Sequence, residues 1–456
     1  MSRHLRTQLL GVVIVSACGF SVPGGGNDPD GSAPGDGRLP DAAACTTLTA
    51  ECISETTLRA CVTIGEQPVD TTCAGGCSDT GGAHCRAIVP TGTSVLPADL
   101  SGTPQLVDIT WTLGSAGGRI DADDGSITIN GTQVRAPGVG IIGGIDFQIR
   151  SGTGVFRFDK LTVAADANAG PLALRGANAI ALVAITDLLI GVAVDAQDCK
   201  GRDGGPGGGR GGDDEEAGTE AGGGGAGAGS NNDCTGGGGG GHATAGGDGG
   251  GQNNNGSTSG TALITTLRGG GGGGGGGGGS GGDGGGGGGA VQLVANGRIV
   301  IGTALAGAPK GINAGGCGGT SSTGACGGGG GAGGAILIEA GSVEILNATL
   351  AVNGGGGGAG NNTSNGEDGQ LSGTRANGGN GANGGGWSGG DGGDGADDDN
   401  AAAPGEDAER AGGGGGGVGW LRLNTRTGSI TTINATLSPR QDSAEAPASV
   451  GTANFQ

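Results

Sequence analysis

From about residue 105 the chain alternates between short runs of branched aliphatic residues and stretches dominated by glycine. QLVDITWTL (105–113), GSITINGTQV (125–134), VFRFDKLTVAAD (155–166) and IALVAITDLLIGVAV (180–194) are rich in Ile, Val, Thr and Leu. Short β-branched runs bounded by Gly, Asn and Asp predict strands. Residues 177–197 also carry enough Ala and Leu to read as a helix. Gly191 and the β-branched content favour strand there.

The second half repeats itself. GAVQLVANGRIVIGTAL (289–305), GAILIEAGSVEILNATL (334–350) and GWLRLNTRTGSITTINATL (419–437) each hold two alternating strands around a turn. Asn-Ala-Thr-Leu recurs at 347–350 and 434–437, and Gly302-Thr303-Ala304-Leu305 takes the same place in the first unit. Residues 180–194 resemble an earlier, more apolar copy. Two short strands cannot bury an apolar face alone, whereas stacked units can. The expected architecture is therefore all-β, a parallel β-helix or solenoid over 100–440; a two-sheet antiparallel sandwich is the competing arrangement. Val291, Leu293, Ile299, Ile301, Ile336, Ile338, Val343, Ile345, Leu421, Leu423 and Ile430 should point inward. Gln292, Arg298, Glu339, Glu344 and Arg422 should point outward.

Glycine-rich insertions separate the units at 200–260, 268–289, 307–333 and 353–418. Ordering glycine costs more backbone entropy than ordering any other residue, so isolated loops should stay mobile. If all the insertions leave at one corner, a second outcome is open. They would lie side by side as extended threefold helices, satisfying one another's N–H and C=O groups.

Composition narrows the function. Of 456 residues, 123 are Gly, there is no Tyr, and the net charge is −21. An acidic chain with few clustered cations is a poor nucleic-acid binder. Gly does not recur at every third residue with Pro, which excludes collagen. No apolar run is long enough for a membrane-spanning helix.

The cysteines point to export. Residues 1–17 have a basic start (Arg3, Arg6) and a short apolar stretch (Leu9–Val15), as in a signal peptide. Val15-Ser16-Ala17-Cys18 resembles the lipobox of bacterial lipoproteins. That resemblance implies cleavage before Cys18 and acylation of its thiol and new amine; an ordinary secretory cleavage at the same bond is the alternative. Gly19, where an inner-membrane protein of this type carries Asp, implies the outer membrane. Residues 18–44 then read as a lipidated cysteine and disordered tether, built from Gly, Pro, Asp and Ala. Cys45, Cys52, Cys61, Cys73, Cys77 and Cys85 define a disulfide-rich module at 45–90, with zinc disfavoured because no C-x-x-C pair is present. Cys199, Cys234, Cys317 and Cys326 lie at the insertions. Proximity in sequence pairs Cys199 with Cys234 and Cys317 with Cys326. Residues 441–456 read as a flexible tail.

Few residues suggest chemistry. His84 and His242 have no partner in sequence. G-x-S-x-G matches at 278–282 and 386–390 lack the strand and helix of a nucleophile elbow. Gly389-Gly390-Asp391-Gly392-Gly393-Asp394 fits the start of a calcium-binding nonapeptide, making Asp391, Asp394 and Asp397 weak calcium candidates. No other cofactor is expected. A carbohydrate-active β-helix enzyme would draw on Asp121, Asp123 and Asp124, or on Arg157, Asp159 and Lys160.

Taken together, the lipobox, Cys module and Gly-rich repeat body resemble glycine-rich surface lipoproteins of the myxobacterial type. That resemblance implies a non-enzymatic, lipid-anchored outer-membrane protein, periplasmic or surface-exposed. Its role would be structural or adhesive, with the bilayer and a surface polysaccharide or another cell as partners. A carbohydrate-active enzyme and a calcium-responsive binding module are the alternatives.

Overall fold

The computed structural model describes residues 44–456 except 104, 231–232, 305–307, 384–385 and 442–446. The signal peptide, Cys18 and nearly all of the tether lie outside the described residues. Among those residues the fold is almost entirely β, built on two large curled sheets of twelve and eight strands with one short 3-10 turn, Pro97–Leu100. Residues 177–197 form strands. Among the described residues no helix is long and apolar enough to cross a membrane.

Three parallel ladders make up most of these sheets; Ile127–Ile129 and Thr132–Arg135 on one, and Gly140–Ile142 and Ile145–Arg150 on the other, add antiparallel strands at the end. The first joins Thr153–Phe158, Ala179–Ala184, the front halves of Ala290–Gly302 and Ala335–Leu346, Trp420–Thr425 and Ala448–Thr452. The second joins Asp108–Leu113, Lys160–Ala165, Leu188–Ile190, the back halves of the same two long strands, and Thr431–Ile433. The third joins Gly118–Asp121, Leu172–Arg175, Ala193–Asp195, Gly311–Asn313, Thr349–Ala351 and Thr436–Ser438.

Register follows the apolar pattern because a slip of one residue would turn each aliphatic stack inside out. Ile180, Val291, Ile336 and Leu421 are aligned, as are Leu182, Leu293, Ile338 and Leu423. Val194, Ile312, Leu350 and Leu437 continue the pattern on the third ladder. These side chains share one core, and each fully buried Leu or Ile contributes about 1.5–3 kcal/mol. All the expected inward residues belong to it, Ile430 at its margin.

The repeated Asn-Ala-Thr-Leu marks a corner. Asn347 and Asn434 have φ of 47° and 48°, a left-handed conformation that Asn tolerates better than other side-chain residues. Asn434 Nδ2 donates to Asn347 Oδ1 at 3.0 Å, and Asn347 Nδ2 donates to the Thr303 carbonyl at 2.9 Å. The stacked amides hold one corner over another.

Two outward expectations are overturned. Gln292 and Glu339 are each 1% exposed. They lie beneath residues 88–101, which run across the outer face of the first ladder and bury Ile88, Val95 and Leu100 against Val155, Val183 and Val294. Glu339 accepts hydrogen bonds from the Thr91 amide and hydroxyl, Gln292 Nε2 and Asn424 Nδ2. Asp99 pairs with Arg150 and Arg157, and Arg157 with Asp146 at 3.0 Å. The expected flexible tail is also corrected. Residues Ala448–Thr452 extend the first ladder, and Asn454–Phe455 pairs with Ile88–Val89, because Phe455 packs on the apolar cluster under that strap.

The cysteine module holds three disulfides, Cys45–Cys61, Cys52–Cys77 and Cys73–Cys85. The four remaining cysteines pair as Cys199–Cys317 and Cys234–Cys326. This corrects the pairing by nearness in sequence: each bridge joins two insertions instead of closing one, because neighbours in space come from different insertions.

Candidate functional site

Among the described residues the insertions are ordered and leave from one corner, 200–260 and 268–289 together forming a single excursion. Each of the three excursions follows a strand of the third ladder and returns into the next strand of the first, at Ala290, Ala335 and Trp420. Parallel register in the sheet therefore aligns the returning segments 281–289, 326–334 and 411–419.

These segments bond to one another with a three-residue period. In 326–334, Gly327, Gly330 and Gly333 donate to the carbonyls of Ala411, Gly414 and Gly417; Gly328, Gly331 and Gly334 donate to Thr320, Cys317 and Ala314; Gly329 and Ala332 donate to Gly274 and Gly271, at 2.7–3.0 Å throughout. Its own carbonyls accept from Gly285, Gly358 and Gly240 of three further segments. The segment is thus surrounded by six neighbours, and its backbone groups are satisfied without a sheet.

This packing explains the glycine. A Cβ on Gly328, Gly329 or Gly330 would lie 2.1, 2.1 and 2.2 Å from the carbonyl oxygens of Asp283, Gly238 and Gly355, three different neighbours. No glycine in 281–289 or 327–334 has a positive φ. Lack of a side chain, and not backbone freedom, selects the residue in these segments. Positive φ is confined there to the turn, at Gly278 and Gly279.

The nine residues 326–334 span roughly 25 Å in an extended threefold form. The Cys199–Cys317 bridge sits near the sheets, and Cys234–Cys326 at the far end. At that far end three turns, 278–281, 321–325 and 361–365, meet around a cleft of about 590 Å³. It is lined by Ser280, Ser321, Ser322, Thr323, Asn362, Thr363 and Asn365, with Gly324 at its wall. Ser321 donates from its amide and hydroxyl to Asn365 Oδ1 at 2.9 Å, and Ser322 Oγ donates to the Ser280 carbonyl at 2.7 Å. No ionisable side chain lines it. Sequence reasoning missed this site, because its residues are common turn formers with no motif.

Two charged clefts lie where the bundle meets the third ladder. One, about 420 Å³, is lined by Arg119, Asp121, Asp123, Asp198, Asp203 and Arg210. The other, about 360 Å³, is lined by Arg175, Asp195, Asp198, Lys200, Asn313 and Asp368. Most of their charges are engaged. Arg119 pairs with Asp121 at 2.8 Å, Arg175 with Asp195 at 2.6 Å and with Asp198 at 3.3 Å. Asp123 caps the Ala177 and Asn178 amides, and Asp124 caps the Ser126 amide. Burial pushes the Asp368 carboxyl above the usual carboxylate range, against the Gly318 amide that favours its charged form. Cys199, Cys317 and Asp368 come close, but both sulfurs are in a disulfide and cannot act as thiolate ligands.

The other sequence candidates are dispersed. Asp391 accepts the Gly381 amide, Asp394 the Gly378 amide, and Asp397 the Asn400 amide and side chain. Among the described residues these three carboxylates do not come together as a group that could share one cation. Arg157 is buried in the ion pairs under the strap. The Asp159 carboxyl is raised by burial and then by its neighbour Asp108. His84 Nδ1 bonds to the Gly82 carbonyl. His242 is buried with Nδ1 at 3.0 and 3.2 Å from the carbonyls of Gly333 and Gly334, so Nδ1 carries the proton. Ser388, in one G-x-S-x-G match, bonds Glu409 and has no histidine partner among its hydrogen bonds.

Compared with known proteins, the chain matches no family model, no curated protein and no solved structure.

Proposed function

We propose that this chain is a lipid-anchored outer-membrane protein of non-enzymatic, structural or adhesive role, carrying a glycine bundle on a parallel β-solenoid. The solenoid reading is supported by three in-register parallel ladders visited in fixed order, with every long insertion at one corner. The cysteine pattern carries the anchored reading. All ten cysteines after Cys18 are in disulfides, which suits an oxidising compartment and leaves none of them to pair with the lipobox cysteine. Three acyl chains would anchor it firmly, since each buried methylene contributes about 0.8 kcal/mol.

The non-enzymatic reading is supported by the use made of the candidate carboxylates, most of which cap turns or neutralise arginines. The bundle suits a rigid presenter. Its backbone is cross-bonded in every direction, and its turns face away from the sheets.

Mass spectrometry of the amino-terminal peptide from isolated membranes tests the anchor. The expected species is a triacylated peptide beginning at Cys18; an unmodified Cys18 in the soluble fraction defeats it. Turnover of a polysaccharide panel, abolished by Asp159→Asn, would replace the adhesive reading with an enzymatic one.

A further inference from the structure

We propose that the cleft between turns 278–281, 321–325 and 361–365 binds a neutral, polyhydroxylated glycan. The inference deepens the adhesive reading by giving it a site and a ligand class.

The argument rests on which polar groups remain after the turns have satisfied themselves. The Ser280, Ser321 and Ser322 hydroxyls donate to the Gly279 carbonyl, Asn365 Oδ1 and the Ser280 carbonyl. Each keeps acceptor capacity, although Ser322 Oγ already accepts the Gly324 amide at 3.4 Å. The hydroxyls of Thr323 and Thr363 and the Asn365 Nδ2 group make no hydrogen bond among the described residues. The cleft therefore offers lone pairs and N–H or O–H donors side by side.

Ligand chemistry follows. An anion can only accept, and would face the serine lone pairs without a cation to neutralise it. A metal or ammonium ion would find no carboxylate and would meet the Asn365 amide donors. An apolar peptide would find no aliphatic or aromatic wall. A sugar hydroxyl both donates and accepts, so a run of hydroxyls matches this mixed, uncharged set. The volume, about 590 Å³, falls within the ~300–1,000 Å³ of small-ligand sites. The turns are also held before any ligand arrives. Their flanking segments are locked into the bundle, and Cys234–Cys326 closes the same end, so little ordering is lost on binding.

With no aromatic platform, one cleft should bind weakly, with Kd on the order of 1 mM. Many copies on one surface would multiply that by avidity. The test uses the full-length protein displayed on beads, with retention of unsubstituted and of acidic soluble polysaccharides as the readout. Neutral polysaccharides should be retained equally at 0.15 and about 1 M salt, because charge plays no part. Thr323→Ala/Thr363→Ala, which breaks no internal hydrogen bond, should lower retention about tenfold with an unchanged melting temperature. Gly324→Trp should block it, since nothing lies within 4 Å of a Cβ at that position. Retention of neutral glycan unaffected by both variants overturns the cleft and leaves adhesion standing elsewhere on the surface. Retention of acidic polysaccharide only, lost in salt, overturns the ligand class. No retention of any polysaccharide or of whole cells overturns both the cleft and the adhesive reading.

Discussion

Gly329 faces the backbone of Gly238 so closely that a Cβ on it would sit 2.1 Å from the Gly238 carbonyl oxygen. The two residues are distant in sequence, and the oxygen belongs to a backbone that is itself hydrogen-bonded and cannot yield. Gly329→Ala should destabilise the protein by about 1–3 kcal/mol or more, the usual cost of overpacking. Gly324→Ala, in open space at the turn, should be close to neutral. Paired denaturant titrations check this; equal midpoints would show that the segment does not pack as described.

The disulfide map is directly measurable. Proteolysis without reduction should release peptides joining Cys199 to Cys317 and Cys234 to Cys326. Peptides joining Cys199 to Cys234 would contradict the bundle. Cys234→Ser/Cys326→Ser should cost about 2–4 kcal/mol, since the bridge closes a long loop.

Asp99 fastens the strap. It accepts from the Leu96 amide at 2.8 Å and faces Arg150 and Arg157. Asp99→Ala leaves the buried Arg157 partly uncompensated and should cost about 3–5 kcal/mol. Hydrogen exchange should then quicken in residues 88–101 first.

His242 should make the protein sensitive to mild acid. Burial lowers its pKa below the ordinary value, so the folded state holds the ring neutral. The associated stability is present above the unfolded pKa of about 6.5 and is lost as pH falls through the lower folded value. Urea midpoints should decline below about pH 6.5 in the parent. In His242→Asn that part of the slope should vanish, whatever the variant's absolute stability.

Asp368 has the opposite sign. Its pKa is raised by burial, so its contribution is present below about pH 3.9 and is lost as pH rises through the folded value. Asp368→Asn keeps an acceptor for the Gly318 amide, 2.8 Å from Asp368 Oδ1. The variant should have the higher urea midpoint at pH 7, and the advantage should disappear near pH 3. A lower midpoint at pH 7 would show that the charged form is favoured.

The aliphatic alternation of 289–305, 334–350 and 419–437 was readable because a strand that buries one face must repeat every two residues. The inward set follows directly from it. Gln292 and Glu339 depart from the outward pattern for a physical reason: their face is covered by residues 88–101, about two hundred or more positions earlier, and no local pattern encodes that cover. The order of the tail is not legible in sequence, because a short polar segment ending in Phe455 looks unfolded until the strap supplies its partner.

Glycine content alone left the insertions open between mobility and stacking. Backbone entropy argues for the first in any isolated segment. The sequence by itself determined the strands, the repeated corner, and the places where side chains are missing. Only the tertiary structure decided that the insertions share a corner and satisfy one another, that Cys199 and Cys234 reach across to Cys317 and Cys326, and that three plain turns meet at an open, neutral cleft. Those outcomes depend on distances between segments far apart in the chain, set by the register of the sheets, and periodicity within a segment carries no information about them.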